Sequence, residues 1–244
     1  MERQLNVSVF ETPEQLALAA VERFVEYSNE LRDMTERFSV ALAGGNTPRR
    51  VYQLLANERF KNRVEWPQVY LFFGDERCVP PEHPDSNYAM AYEALISKVP
   101  IPAKNVHRMI GEGNANENAL AYENQLRTFF AGLTWPRFDL VLLGMGEDGH
   151  TASLFPDSAA LKEMSRWVAP TRNEQSGQER ITLTLPVFNH AKRIMVLVTG
   201  KKKAQRLKEV LRPQPGSEQL PVQAIAPIKG MLEWLVDADA ASLL

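Results

Sequence analysis

His150 is the residue best placed for acid–base chemistry. It closes Gly144-Met145-Gly146-Glu147-Asp148-Gly149-His150, a glycine-rich run with a carboxylate two positions before the imidazole. Histidine is the usual general base near neutral pH, and a neighbouring carboxylate can fix its tautomer. The bland alternative is a structural or merely exposed histidine, the reading kept for His83, His107 and His190. The same run spells G-x-G-x-x-G at Gly144, Gly146 and Gly149, the spacing of a dinucleotide loop. Against that reading, Pro156 arrives before a long helix could develop, and the loop lies past the middle of the chain.

Three further loops carry unusual polar content. In Gly44-Gly45-Asn46-Thr47-Pro48 two glycines allow positive φ and close backbone approach to a ligand. Asn46 and Thr47 offer side-chain donors, and a helix opening at Thr47-Pro48 would direct unpaired N–H groups outward. That is an anion site suited to phosphate, or else an ordinary strand-to-helix turn. It is not a Walker A loop, because no Gly-Lys-Ser/Thr closes it. In Gly74-Asp75-Glu76-Arg77, Arg77 offers a fork for phosphate or carboxylate, unless it pairs internally with Asp75. In Thr199-Gly200-Lys201-Lys202-Lys203, cations at a helix start oppose the dipole. Such a cost makes sense if one lysine holds an anionic ligand while the others are solvated.

The elements that must position these loops alternate along the chain. Thr12-Pro13-Glu14-Gln15 reads as a helix start, with Thr12 as N-cap, Pro13 first in the helix and Gln15 completing a capping box. Leu16, Ala20, Phe24, Tyr27 and Leu31 follow at helical spacing. Helices are also predicted behind Pro48, with Val51, Leu54 and Leu55 inward, over 87–97, over 117–130 with Leu120, Leu126 and Phe130 inward, and after the three lysines. The runs 38–43, 69–73, 138–143 and 193–198 are apolar throughout rather than alternating. That pattern marks strands covered on both faces, hence an α/β fold with a mostly parallel sheet flanked by helices. Residues 180–185 alternate more and read as lying nearer an edge. Each unbroken run ends in one of the four polar loops. A parallel sheet therefore gathers all four at its carboxyl edge, where open α/β sheets bind ligands.

Composition narrows the class. Lys plus Arg number 28 and Asp plus Glu 30, a net charge of −2, too balanced for a nucleic-acid binder. Of the 244 residues 44% are hydrophobic, yet no stretch approaches a membrane span. Cys78 is the single cysteine, which excludes an internal disulfide and suits a reducing compartment. No histidines pair at ligand spacing, so neither metal nor other cofactor is expected. The first ten residues show no apolar leader, and the expected location is the cytoplasm. With no repeat or long linker, residues 1–244 read as one domain, and no obligate protein partner is expected.

These motifs together resemble the 6-phosphogluconolactonase family. The resemblance rests on Leu42-Ala43-Gly44-Gly45-Asn46-Thr47-Pro48, on Phe73-Gly74-Asp75-Glu76-Arg77, and on the long run from Gly144 to Pro156 with its D-G-H-T-A-S-L-F-P core. It continues through Pro84-Asp85-Ser86-Asn87-Tyr88, Arg180-Ile181-Thr182-Leu183-Thr184 and Gly200-Lys201-Lys202-Lys203-Ala204. It implies a modified Rossmann-like sandwich related to glucosamine-6-phosphate deaminase and ribose-5-phosphate isomerase. It further implies metal-free hydrolysis of 6-phospho-D-glucono-1,5-lactone, a sugar-phosphate lactone. Carried over, the family's catalytic His falls on His150, its G-D-E-R Asp and Arg on Asp75 and Arg77, and its lysine on Lys203; with Asp148 from the loop reading, the candidate catalytic set is His150, Asp75 and Asp148. The substrate- and phosphate-binding set is Gly44, Gly45, Asn46, Thr47, Arg77, Arg180 and Lys203. Asn46 stands where the family's loop usually has Ser. Two rivals remain, a deaminase-like sugar-phosphate isomerase and a non-catalytic sugar-phosphate-binding regulator. The deaminase loop continues H-I-A-F-N-E-P after its last glycine, whereas Thr151-Ala152-Ser153-Leu154-Phe155-Pro156 follows His150 here. A regulator would bring a DNA-binding segment, and no basic patch of that kind is visible.

Overall fold

The computed structural model describes residues 6–32 and 37–244, with side chains described for 6–30 and 37–244. The chain opens with strand β1 (Asn6–Phe10) and helix α1 (Pro13–Arg32). Thr12 caps α1 by accepting from the Gln15 N–H at 3.2 Å. The reciprocal bond departs from a strict capping box, because the Gln15 side chain accepts from the Glu11 N–H, at 3.1 Å. Leu16, Ala20, Phe24 and Tyr27 are buried as their spacing predicts. The Leu31 side chain lies outside the described residues.

Next come β2 (Phe38–Leu42), α2 (Asn46–Leu55), a short α3 (Glu58–Lys61), β3 (Val69–Phe73), β4 (Asp75–Arg77) and α4 (Asn87–Ala94). Helix α2 begins at Asn46, before the predicted Thr47-Pro48 start. Helix α4 stops at Ala94 rather than 97. Leu95 leaves helical geometry there (φ −136°, ψ −61°), and Ile96–Lys98 form a 3-10 turn. Helix α5 (Ala115–Phe129) buries Ala119, Tyr122 and Leu126 but leaves Leu120 54% exposed. Leu120 therefore does not belong to the inner face.

The chain then forms β5 (Leu140–Gly144), β6 (Val168–Arg172), β7 (Glu179–Leu183), α6 (Leu185–Asn189), β8 (Arg193–Val198), α7 (Ala204–Leu211) and β9 (Met231–Asp237). Six strands make one sheet in the order β1-β9-β8-β5-β2-β3, with every pair parallel. All of β2 and residues 140–143 of β5 are buried, which is why their sequences are unbroken apolar runs. From β2 the chain moves outward to β3 on one side. It returns to β5 on the other side and proceeds to β8 and β9. The gap between the carboxyl ends of β2 and β5 is thus a topological switch point, where such sheets form crevices.

β4, β7 and β6 form a second, antiparallel sheet with β7 in the middle. Residues 180–185 were expected near an edge of the main sheet; instead β7 is the central strand of this small one. Its burial grades along the strand, from exposed Glu179 through Arg180 at the cleft to fully buried Ile181, Thr182 and Leu183. Gly74 links the two sheets, since its C=O accepts from the Leu183 N–H at 2.8 Å and its own N–H donates to the Leu42 C=O at 2.8 Å. Among the described residues no helix is long and apolar enough to cross a membrane.

Candidate active site

A cleft of about 210 Å³ opens at the switch point. Its wall includes Gly44 and Gly45 after β2, Asp75 and Arg77 of β4, Gly146 and His150 after β5, Arg180 of β7 and Lys203 after β8. Segments far apart in sequence therefore converge on one space.

The loop after β5 builds the reactive end. The Gly146 N–H donates to the His150 C=O at 2.8 Å, and Gly149 turns with φ 84°. His150 Nδ1 lies 2.5 Å from Asp148 Oδ1, and the same oxygen accepts the His150 backbone N–H at 3.1 Å. A carboxylate can only accept, so Nδ1 carries the proton and Nε2 keeps a lone pair. Nε2 has no hydrogen-bond partner among the described residues. Burial pushes the Asp148 carboxyl upward, but the hydrogen bond and charge of the His150 ring, with backbone N–H donors, bring it down to about 2. Gly146 has to lack a side chain, because a Cβ there would collide with the His150 ring and the Asp148 carboxylate. Phe155 packs against the imidazole at 4.9 Å between ring centroids.

Three cations line the same cleft. Arg77 and Arg180 face each other directly across β4 and β7. Like charges in that register repel, and each guanidinium also has a buried Nε without a partner. Arg77 Nη1 donates to the Asp85 C=O at 2.6 Å. Burial lowers the Arg180 pKa, while Asp75 pulls it back up. Lys203 is lowered likewise by burial, against the attraction of Glu147 and Asp148. Lys201 and Lys202 are exposed, whereas Lys203 is half-buried.

Asp75 does not pair with Arg77. It is 5% exposed, with Oδ2 accepting from Ser153 Oγ at 2.6 Å and lying 3.9 Å from Arg180 Nη1. Asn87 Nδ2 donates to the Asp75 C=O at 2.9 Å and to its Oδ1 at 3.2 Å. Asp75 thus braces Arg180 and Ser153 from within the cleft wall. Two expected residues sit elsewhere. Asn46 is exposed and lines an adjoining cleft of about 450 Å³. Thr47 spends its hydroxyl on Thr199 Oγ1 at 2.7 Å, tying the β2 and β8 loops together.

Asn87 and Glu76 were not singled out from the sequence, though both line or brace this wall. Asn87 lay within a recognised motif, and Ser86 before it is the N-cap of α4, with Oγ accepting from the Ala89 N–H. A larger cavity, about 560 Å³, reaches Asp148 and Phe155 from another side. Its lining includes Arg172 but none of Gly44, Arg77, His150, Arg180 and Lys203, which meet in the smaller cleft.

Other proteins resemble this chain in sequence and in fold. A family model described as glucosamine-6-phosphate isomerases/6-phosphogluconolactonase matches residues 11–234. A 6-phosphogluconolactonase from Synechocystis is 42% identical over 210 residues, 84% of each chain. One from Haemophilus influenzae is 33% identical over 98% of this chain and 100% of its own. The structure of 6-phosphogluconolactonase from Trypanosoma cruzi superposes with a TM-score of 0.90 at 31% identity, covering 100% of this chain and 98% of that one. A monomeric glucosamine-6-phosphate deaminase has a TM-score of 0.83 at 21% identity, covering 98% and 100%, which shows the shared fold alone. With near-complete coverage in sequence and in structure, this chain belongs to the glucosamine-6-phosphate isomerase/6-phosphogluconolactonase family.

Proposed function

We propose that the chain hydrolyses 6-phospho-D-glucono-1,5-lactone to 6-phospho-D-gluconate in this cleft. The observation that carries the reading is the Asp148–His150 pair with Nε2 unpartnered, in a cleft that Arg77, Arg180 and Lys203 also line. The nearby hydroxyls are already engaged: Ser153 with Asp75, Thr151 with the Gly144 C=O, Thr182 with the Leu183 C=O. Water is therefore the nucleophile. His150 Nε2 takes a proton from that water as its oxygen bonds to the lactone carbonyl carbon. Asp148 stabilises the imidazolium that forms. The tetrahedral intermediate then expels the ring oxygen, which takes the proton from Nε2, and the free carboxylic acid ionises. Gly44, Gly45, Arg77 and Lys203 hold the distal phosphate, and Arg180 adds a second guanidinium held by Asp75. Fixing the phosphate fixes the carbonyl beside His150, and such orientation is a large catalytic term. Asn46 and Thr47 serve by shaping the loop rather than by touching substrate.

A small-molecule sugar phosphate is the sole partner this mechanism needs. The lone thiol, Cys78, fits a reducing cytoplasmic setting. The test is acid release from the lactone against its spontaneous hydrolysis. Turnover should be unaffected by exhaustive chelation, since His150 activates the water without a metal. Binding of the lactone without acceleration would sink the enzyme reading. Activity lost to chelator and restored by one divalent ion would sink the metal-free mechanism.

A further inference from the structure

We propose that Glu76 is a positioning residue for phosphate recognition, acting through Arg77 and the turn that leads into α4. The inference rests on the phosphate-holding role given to Arg77 above. Glu76 is 2% exposed, and its carboxylate accepts four hydrogen bonds. Oε1 takes the Arg77 N–H at 2.8 Å and the Asn87 N–H at 2.7 Å. Oε2 takes Ser86 Oγ–H at 3.0 Å and the Tyr88 N–H at 2.8 Å. Among the described residues no cation forms an ion pair with it. Its charge is met by the first-turn N–H groups of α4, the end of a helix that favours an anion.

A buried charge is costly, so its presence needs a reason. Capping α4 is not sufficient, because the Ser86 hydroxyl already caps that helix. What the carboxylate adds is a weld between β4 and the segment 85–88. Arg77 is fastened to that segment directly through Nη1 on the Asp85 C=O, and indirectly through its backbone N–H on Glu76 Oε1, the oxygen that also takes the Asn87 N–H. Asn87 closes the circuit by returning its side-chain amide to Asp75. Residues 75–77 and 85–88 are therefore one rigid unit with Glu76 at its centre. A guanidinium held in advance loses less freedom when an anion arrives, which is how preorganisation raises affinity.

The experiment compares Glu76→Gln with the parent on the phosphorylated lactone, on gluconolactone without phosphate, and with inorganic phosphate as inhibitor. Glutamine keeps the shape but turns an NH2 toward at least one N–H donor. For the phosphorylated lactone, KM should rise about tenfold with kcat changed by less than about threefold, and the inhibition constant of phosphate should rise in step. The kcat/KM for the unphosphorylated lactone should stay at the parent value. A loss shared equally by both substrates, or a fall in kcat with KM and phosphate inhibition unmoved, overturns the inference. If Glu76→Gln does not fold, Ser86→Ala removes one of the four bonds, together with the cap on the Ala89 N–H, and leaves the carboxylate; it should show the same selectivity at smaller amplitude, and its absence overturns the inference. Arg77→Ala is measured alongside. If Arg77→Ala loses the preference for phosphate while Glu76→Gln keeps it, Glu76 has no such role and the phosphate reading stands. If Arg77→Ala keeps the preference, the phosphate reading fails and the inference fails with it.

Discussion

The Asp148–His150 pair concentrates the chemistry in two side chains, and each has its own expected loss. His150→Ala should fold and still bind substrate, but kcat should fall by roughly 10²–10⁴-fold, the usual worth of general acid–base catalysis. Near-normal kcat at neutral pH would remove His150 from the mechanism. Asp148→Asn tests the tautomer. An amide can donate to Nδ1, which would leave the proton on Nε2 and the base disarmed, so kcat should fall by roughly 10²-fold with KM little changed. The imidazole was legible in the sequence because its glycine-rich loop left few structural explanations. The brace around Asp75 was not. Ser153, Asn87 and Arg180 lie on three separate segments, and nothing in their spacing announces that they share one carboxylate.

The small antiparallel sheet sets two guanidiniums side by side, and the turn after β8 adds Lys203 to the same cleft. A phosphate dianion bound there would relieve the repulsion within that set. Charge-assisted hydrogen bonds contribute roughly 1.5–3 kcal/mol each. Arg77→Ala or Lys203→Ala should therefore weaken competitive inhibition by 6-phosphogluconate by about one to two orders of magnitude, whereas Lys201→Ala, exposed on the outer side of the turn, should match the parent. A crippled Lys201→Ala beside a normal Lys203→Ala would reverse the assignment. Elements differed in how well the sequence disclosed them. β2, β3, β5 and β8 were plain, since a strand buried on both faces has to be apolar throughout. β1 was hidden by its exposed, mixed residues at the sheet edge. β9 was hidden by Glu233, a charge in mid-strand that is buried against Tyr27 Oη at 2.5 Å and Arg23 Nε at 2.8 Å. β6 carries Pro170, which argues against a strand in any window read alone.

For the molecule as a whole, acid is the condition to which folding should respond. His107 is half-buried, stacked on Phe72 at 4.4 Å, with Nδ1 2.9 Å from the Gln125 amide nitrogen. Burial lowers its pKa below the ordinary histidine value. The unfolded chain therefore takes up this proton first, so stability is complete above about pH 6.5 and declines as pH falls below it. The melting temperature should drop between pH 7.5 and 5.5, and drop less in His107→Gln. Identical pH profiles for the two proteins would show that His107 contributes nothing. Asp148 acts in a lower window, because its folded value near 2 lies under the unfolded carboxylate value of about 3.9. Its contribution is present above about pH 4 and is lost toward pH 2.

The place of β9 in the sheet has a consequence for how the protein is made. β9 lies between β1 and β8, and β1 has no other neighbour in the sheet among the described residues. Strand β1, ending at Phe10, leaves the ribosome long before Met231 begins its partner. Until then β1 and the outer edge of β8 each present an unpaired row of N–H and C=O groups, an invitation to other chains. Sequence separations this large make the last pairing slow, and slow parallel pairing exposes intermediates to aggregation. The nascent protein thus passes through a state in which strands β2, β3, β5 and β8 are available to pair, while its first strand has nothing to join. Demand for chaperones should concentrate on that interval, and it ends when β9 slots into the gap.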